Sequence, residues 1–98
     1  MKTFSFSARV VRWPGASPWF FVHVPREYFT PIREHYGKGL LRATITIGNT
    51  IWDTSLLPYL IDRTFLIALK KSVRTAEDIW EGELVTVQVT IQGKHASV

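Results

Sequence analysis

Lys70, Lys71 and Arg74 fall within about one helical turn of each other, on a stretch running from Lys70 to about Glu77 with helical spacing. Val73, Ala76 and Trp80 would form its inward stripe. Two ammonium groups at a helix start face its positive end, which is unfavourable by about 0.3–1 kcal/mol each when exposed. An anion placed there would meet both lysines and the free N–H groups of the first turn. These three cations are therefore the leading candidate ligand-binding residues, and a small anion is the ligand they suit. The plainer alternative is a solvated helix face with Arg74 paired to Glu77 or Asp78. Trp52, between Ile51 and Asp53 on an alternating strand, joins them as a candidate, since ligand sites are mostly apolar with a few polar groups. Its plainer role is core packing.

Other constellations carry less chemistry. Ser55, His23 and Asp53 supply the residue types of a triad, but no nucleophile elbow surrounds the serine. Asp53 and Ser55 share one strand face by alternation and suit either a barrel mouth or an exposed strand face. Lys70 would serve as a base or nucleophile only if burial lowered its pKa. Glu81 and Glu83 flank a glycine turn, where solvation is the simpler role. Gly37-Lys38-Gly39 lacks the glycine spacing and terminal hydroxyl residue of a Walker loop. His23, His35 and His95 have no metal-ligand spacing, and the chain has no cysteine. The sequence thus assigns no catalytic residue, no metal and no cofactor.

The 98 residues make one domain, expected to bury roughly 60–65% of its unfolded surface. A composition 46% hydrophobic and 13% aromatic, with four tryptophans, supplies the bulk for a single core. Cysteine usage, the lack of a secretory pattern near Lys2 and the lack of a long apolar run give a cytoplasmic expectation with no membrane partner. A net charge of +4 is compatible with an anionic partner and too small to require one.

Alternation over Phe4–Val10 predicts a half-buried strand, ended by the Trp13–Pro18 turn cluster. Trp19–Val24 is nearly all apolar and is expected to be covered on both faces. Thr30-Pro31 reads as an N-cap and first helical residue, with a helix from about Ile32 to Tyr36. Leu41–Ile47 alternates strictly, Gly48-Asn49 is a hairpin signal, and Thr50–Leu56 returns antiparallel. Phe65–Leu69 is a buried strand, and Leu84–Ile91 is the last. The domain is expected over residues 1–91, with a flexible tail at 92–98.

Two stretches repeat one pattern of apolar strand, basic turn or helix, glycine punctuation and alternating strand. Phe65 follows Phe20 by 45 positions (65 − 20), and Val85 follows Leu41 by 44 (85 − 41). Neither half can bury its own face. That favours a mainly β fold: a small closed barrel of six to seven strands with a pseudo-twofold internal repeat and two short helices.

Leu69-Lys70-Lys71-Ser72-Val73-Arg74, Glu81-Gly82-Glu83-Leu84-Val85-Thr86-Val87, Trp52–Pro58 and Trp19–Pro25 occur in an order that resembles the bacterial domain of unknown function 1905. The resemblance spans roughly Phe4 to Val89. It implies a double-split β-barrel, the architecture that AbrB/MazE-type transcription factors complete with two chains. One chain would here contain both halves, which implies a monomer or weak homodimer. Glu81-Gly82-Glu83 has glutamate where aspartate is commoner, and the family's usual glycine near Asp62-Arg63 is missing. The resemblance implies no activity. The expected function is a non-catalytic binding module for a small anionic ligand or a protein partner. Nucleic acid is the alternative partner, by analogy with the transcription factors and on Arg9, Arg12, Arg26, Arg33, Arg42, Lys70, Lys71 and Arg74, which are scattered over several elements. An enzyme ranks behind both.

Overall fold

Strict alternation makes Leu41–Ile47 a strand with Leu41, Ala43, Ile45 and Ile47 buried and the polar residues between them turned outward. The same logic builds the other strands. The computed structural model describes residues 3–94. In chain order these form β1 (Thr3–Arg9), β2 (Val11–Trp13), β3 (Trp19–Val24), α1 (Phe29–Tyr36), β4 (Leu41–Ile47), β5 (Thr50–Tyr59), β6 (Thr64–Ala68), α2 (Lys71–Glu77) and β7 (Leu84–Lys94). No helix among the described residues is long and apolar enough to cross a membrane.

The fold is mainly β, as expected, but the sheet is open rather than closed. Its seven strands run β1-β7-β4-β5-β6-β3-β2, all paired antiparallel, in a curled half-barrel. The two edge strands are consecutive in the chain, joined by buried Val10. Closure fails there for a local reason. One residue is too short a loop to fold β1 and β2 into a ladder with each other, and Val10 is held by the turn before β7, giving its N–H to the Glu83 carbonyl (2.9 Å) and accepting the Gly82 N–H (2.8 Å). β5 bends the sheet: residues 50–56 pair with β4, and Leu57, Pro58 and Tyr59 pair with β6.

In the register, Val22 on β3 faces Ile67 on β6, and Ile45 on β4 faces Val89 on β7. All four are fully buried. β3 is covered on both faces, as its composition predicts. Val22 and Val24 point into the main core, while Phe21 lies under Trp13, whose ring meets it edge-on at 4.7 Å.

The helices differ from expectation in register. A 3₁₀ turn (Arg26–Tyr28) runs straight into α1, which starts at Phe29 with Tyr28, not Thr30, at the cap. Pro31 is third in α1, a position whose N–H would have no intrahelical partner anyway. In α2 only Val73 of the expected stripe is buried; Ala76 and Trp80 are exposed. The helix ends at Asp78 in the left-handed region (φ 53°), with Ile79 N–H bonded to the Arg74 carbonyl (2.9 Å) and Asp78 N–H to that of Thr75 (3.4 Å). This Schellman closure turns Ile79 into the core and Trp80 out. Glu77 seats the helix on the β4–β5 turn, accepting from the Thr50 hydroxyl (2.6 Å) and the Asn49 N–H (3.3 Å).

β7 continues to Lys94, past the expected end at Ile91, and Gln92 donates to the Thr44 hydroxyl (2.7 Å). The rest of the expected tail, with His95, lies outside the described residues.

Candidate functional site

Phe20, half-buried against the core, is the centre of the candidate site. Its carbonyl accepts the Leu69 N–H (2.8 Å), which fixes the point from which α2 departs. One turn later Arg74 donates from Nε to the Leu69 carbonyl (3.0 Å) and lays its guanidinium over the Phe20 ring, 4.0 Å from the centroid. Arg12 pairs with Phe20 across β2 and β3, and its guanidinium lies 6.0 Å from the same ring. A cation over an aromatic face is attracted by the ring quadrupole, by about 0.5–1 kcal/mol when exposed and about 2 or more when desolvated.

Phe20 and Arg74 form a ridge between two clefts. One, of about 160 Å³, is bounded by Pro18, Trp19 and Lys70; the other, of about 270 Å³, by Thr75, Ile79 and Trp80. Trp19 and Trp80 are 46% and 67% exposed, so each cleft has a large indole at its lip. The Trp80 indole donates to Asp78 (3.0 Å), and its main-chain N–H to Glu83 (2.7 Å). Trp19 also stacks on Trp13 at 6.0 Å with planes 14° apart, extending the aromatic surface onto the β2–β3 hairpin.

Of the four residues singled out in the sequence, the structure brings Lys70 and Arg74 together on the smaller cleft. Lys70 is the exposed cap residue of α2 with an extended backbone (φ −67°, ψ 161°). Lys71 is exposed, opens the helix and bounds neither cleft. Trp52 lies in the core, facing Ile45, and also bounds neither. Arg74 does not take the expected helical partners, since Glu77 is committed to the Thr50 turn and Asp78 to Trp80. Sequence reading missed Phe20 and Trp80 as site residues and named Arg12 only among cations scattered over several elements. The Arg12-Trp13 and Trp19-Phe20 pairs flanking the Pro14–Pro18 turn were the available signal, because a hairpin sets them opposite each other.

The residues of the triad types are engaged separately. His23 Nδ1 is 2.8 Å from the Thr64 hydroxyl, Asp53 accepts from Thr44 (2.8 Å), and Ser55 accepts from Arg42 (3.2 Å). The last two belong to an outward ladder across β4 and β5. Among the described residues no group of three or more histidine, cysteine, aspartate or glutamate side chains is placed to hold a metal.

No curated protein matches the chain. The family described as a domain of unknown function, DUF1905, matches residues 6–89, which takes in Phe20, Lys70, Arg74 and Trp80 together with the whole sheet apart from the ends of β1 and β7. The chain belongs to the DUF1905 family.

Proposed function

We propose that this chain is a non-catalytic binding module, and that it holds an amphipathic anion across the Phe20–Arg74 ridge. The observation that carries this is the planting of Arg74 on Phe20 between two clefts, with Lys70 exposed at one mouth and an exposed indole at each lip. The rings supply apolar contact, and the guanidinium and ammonium supply charge-assisted hydrogen bonds to a carboxylate or phosphate. A thermal-shift screen of aryl carboxylates and organic phosphates tests this. A binder raises Tm with its concentration. The rise should vanish in Arg74→Gln and shrink in Lys70→Gln. A flat response across the panel overturns the small-anion proposal and leaves a protein partner as the ligand of this surface.

One observation favours a second reading. Arg12 and Arg74 both approach Phe20, between Trp13, Trp19 and Trp80, and interleaved aromatics and cations suit a single-stranded nucleic acid. A gel shift at two salt concentrations decides it, because phosphate contacts weaken steeply with salt. No shift at low salt removes it.

We infer that the two sequence copies are related by a pseudo-twofold axis, as in a double-split barrel built from one chain. In support, Val22 and Ile67, 45 apart, face each other, as do Ile45 and Val89, 44 apart, and these separations equal the repeat offsets. A single chain then supplies both halves of its core, which favours a monomer or weak homodimer. Sedimentation equilibrium across a hundredfold concentration range tests that, with a constant dimer mass as the contrary result.

A further inference from the structure

Arg63 carries a backbone conformation (φ 55°) that glycine adopts freely and arginine rarely does. It closes the β5–β6 turn, with its N–H on the Leu60 carbonyl (3.3 Å), and Arg26 steadies that turn by donating to the Asp62 carbonyl (3.1 Å). The result aims the Arg63 side chain at α1. There it donates to the Thr30 hydroxyl (3.0 Å) and places its guanidinium 5.3 Å from the Phe29 ring centroid. Arg33, one turn along α1 from Phe29, puts a second guanidinium 5.1 Å from the same centroid. Two like charges on one ring repel, and an anion between them would relieve that repulsion.

These groups line an open cleft of about 470 Å³ that also holds Lys38 and the exposed Leu60, and that shares no lining residue with the Phe20–Arg74 clefts. Glu34 is the one carboxylate in the lining, against three cations, leaving a local balance of +2 (3 − 1). Among the described residues none of the three cations has an ion-pair partner. The Thr30 oxygen accepts from Arg63, so its own proton remains free to donate. Planar guanidinium forks fit phosphate oxygens, and a phosphate monoester carries about −1.5 to −2 charge near neutral pH. Leu60, exposed at the rim, supplies apolar surface beside the charges.

We propose that this cleft is a second binding site, for a phosphate monoester borne on an apolar body, with Arg33 and Arg63 as the phosphate clamp. The same chemistry is offered by a free metabolite and by a lipid phosphate headgroup, and Ile61, 83% exposed and next in the chain to the lining residue Leu60, adds apolar surface that would suit the latter.

The test is an NMR titration of the full chain with phenyl phosphate, alongside sedimentation with phosphatidylcholine vesicles with and without phosphatidic acid. Saturable shifts of the Thr30, Arg33 and Arg63 amides are expected. Losing a charge-assisted hydrogen bond should weaken binding by about tenfold or more in Arg63→Gly and Arg33→Gln. Arg63→Gly should keep or raise Tm, because glycine suits that backbone, so its lost binding is not lost folding. Binding to phenyl phosphate assigns the free ester as source. Co-sedimentation that needs phosphatidic acid and fails in Arg63→Gly assigns the headgroup. The proposal is overturned if neither probe binds, if the shifts fall at Lys70 and Arg74 instead, or if both variants bind as tightly as the parent chain.

Discussion

Gly48 shows how one residue can be demanded twice. Its φ is 58°, and a Cβ there would run into the Glu77 carboxylate that caps the β4–β5 turn. Either requirement alone favours glycine. Gly48→Ala must both strain the backbone, at about 1–2 kcal/mol, and push Glu77 off Thr50 and Asn49. We expect a loss of about 2 kcal/mol or more in urea unfolding; a loss under about 0.5 kcal/mol would mean the turn and helix reposition freely. Arg63 is the converse case, a bulky residue at φ 55° where glycine would relax the chain. The expected family glycine near Asp62-Arg63 is absent, yet the backbone keeps a conformation suited to one.

At the scale of elements, α2 is decided by its end. The Schellman closure at Asp78 sends Ile79 inward and Trp80 outward, against the sequence-based stripe of Val73, Ala76 and Trp80. Ile79→Ala should therefore cost about 2–5 kcal/mol, as for other buried aliphatic truncations, whereas Trp80→Ala should stay within about 0.5 kcal/mol. Chemical denaturation of the two variants checks the contrast, and equal costs would contradict this helix end. The stop was illegible because aspartate, not glycine, takes the left-handed position. By contrast β4 and the Gly48 hairpin were legible, since alternation and a glycine turn are local signals. The site was half legible for the same reason. Cations at 70 and 74 are visible in a line of sequence, but the ring that Arg74 covers lies 54 positions earlier (74 − 20) and is delivered by a strand pairing between β3 and β6. Trp52 drew attention by size, and size is what commits it to the core.

For the whole molecule, what matters is where the sheet is continuous and where it stops. β4 and β7 lie inside it, each paired on both sides, while β2 is a three-residue edge. Amide exchange should rank accordingly: the Ile45 and Val89 amides slowest, approaching the global unfolding free energy, and those of β2 fastest among the strands. Slow exchange throughout β2 would point to an edge covered in solution. The repeat expected from the sequence led to an expectation of closure, which the open sheet corrects. The pattern records which strands are apolar on one face; it does not record that a single residue, held by the turn at Gly82 and Glu83, joins the two edge strands.

That residue links the two margins of the sheet. β1 follows β7 and β2 follows β3, yet only Val10 separates β1 from β2 in the chain. A shift of β1 by one position along β7 would turn its side chains over and would also drag β2 along β3. Far from being independent, the outer strands act as two teeth on one short bar, and each holds the other's alignment. Lengthening the bar by one residue between Arg9 and Val11 should loosen both ladders together, while an equal insertion in the exposed loop at Gly15-Ala16 should disturb neither.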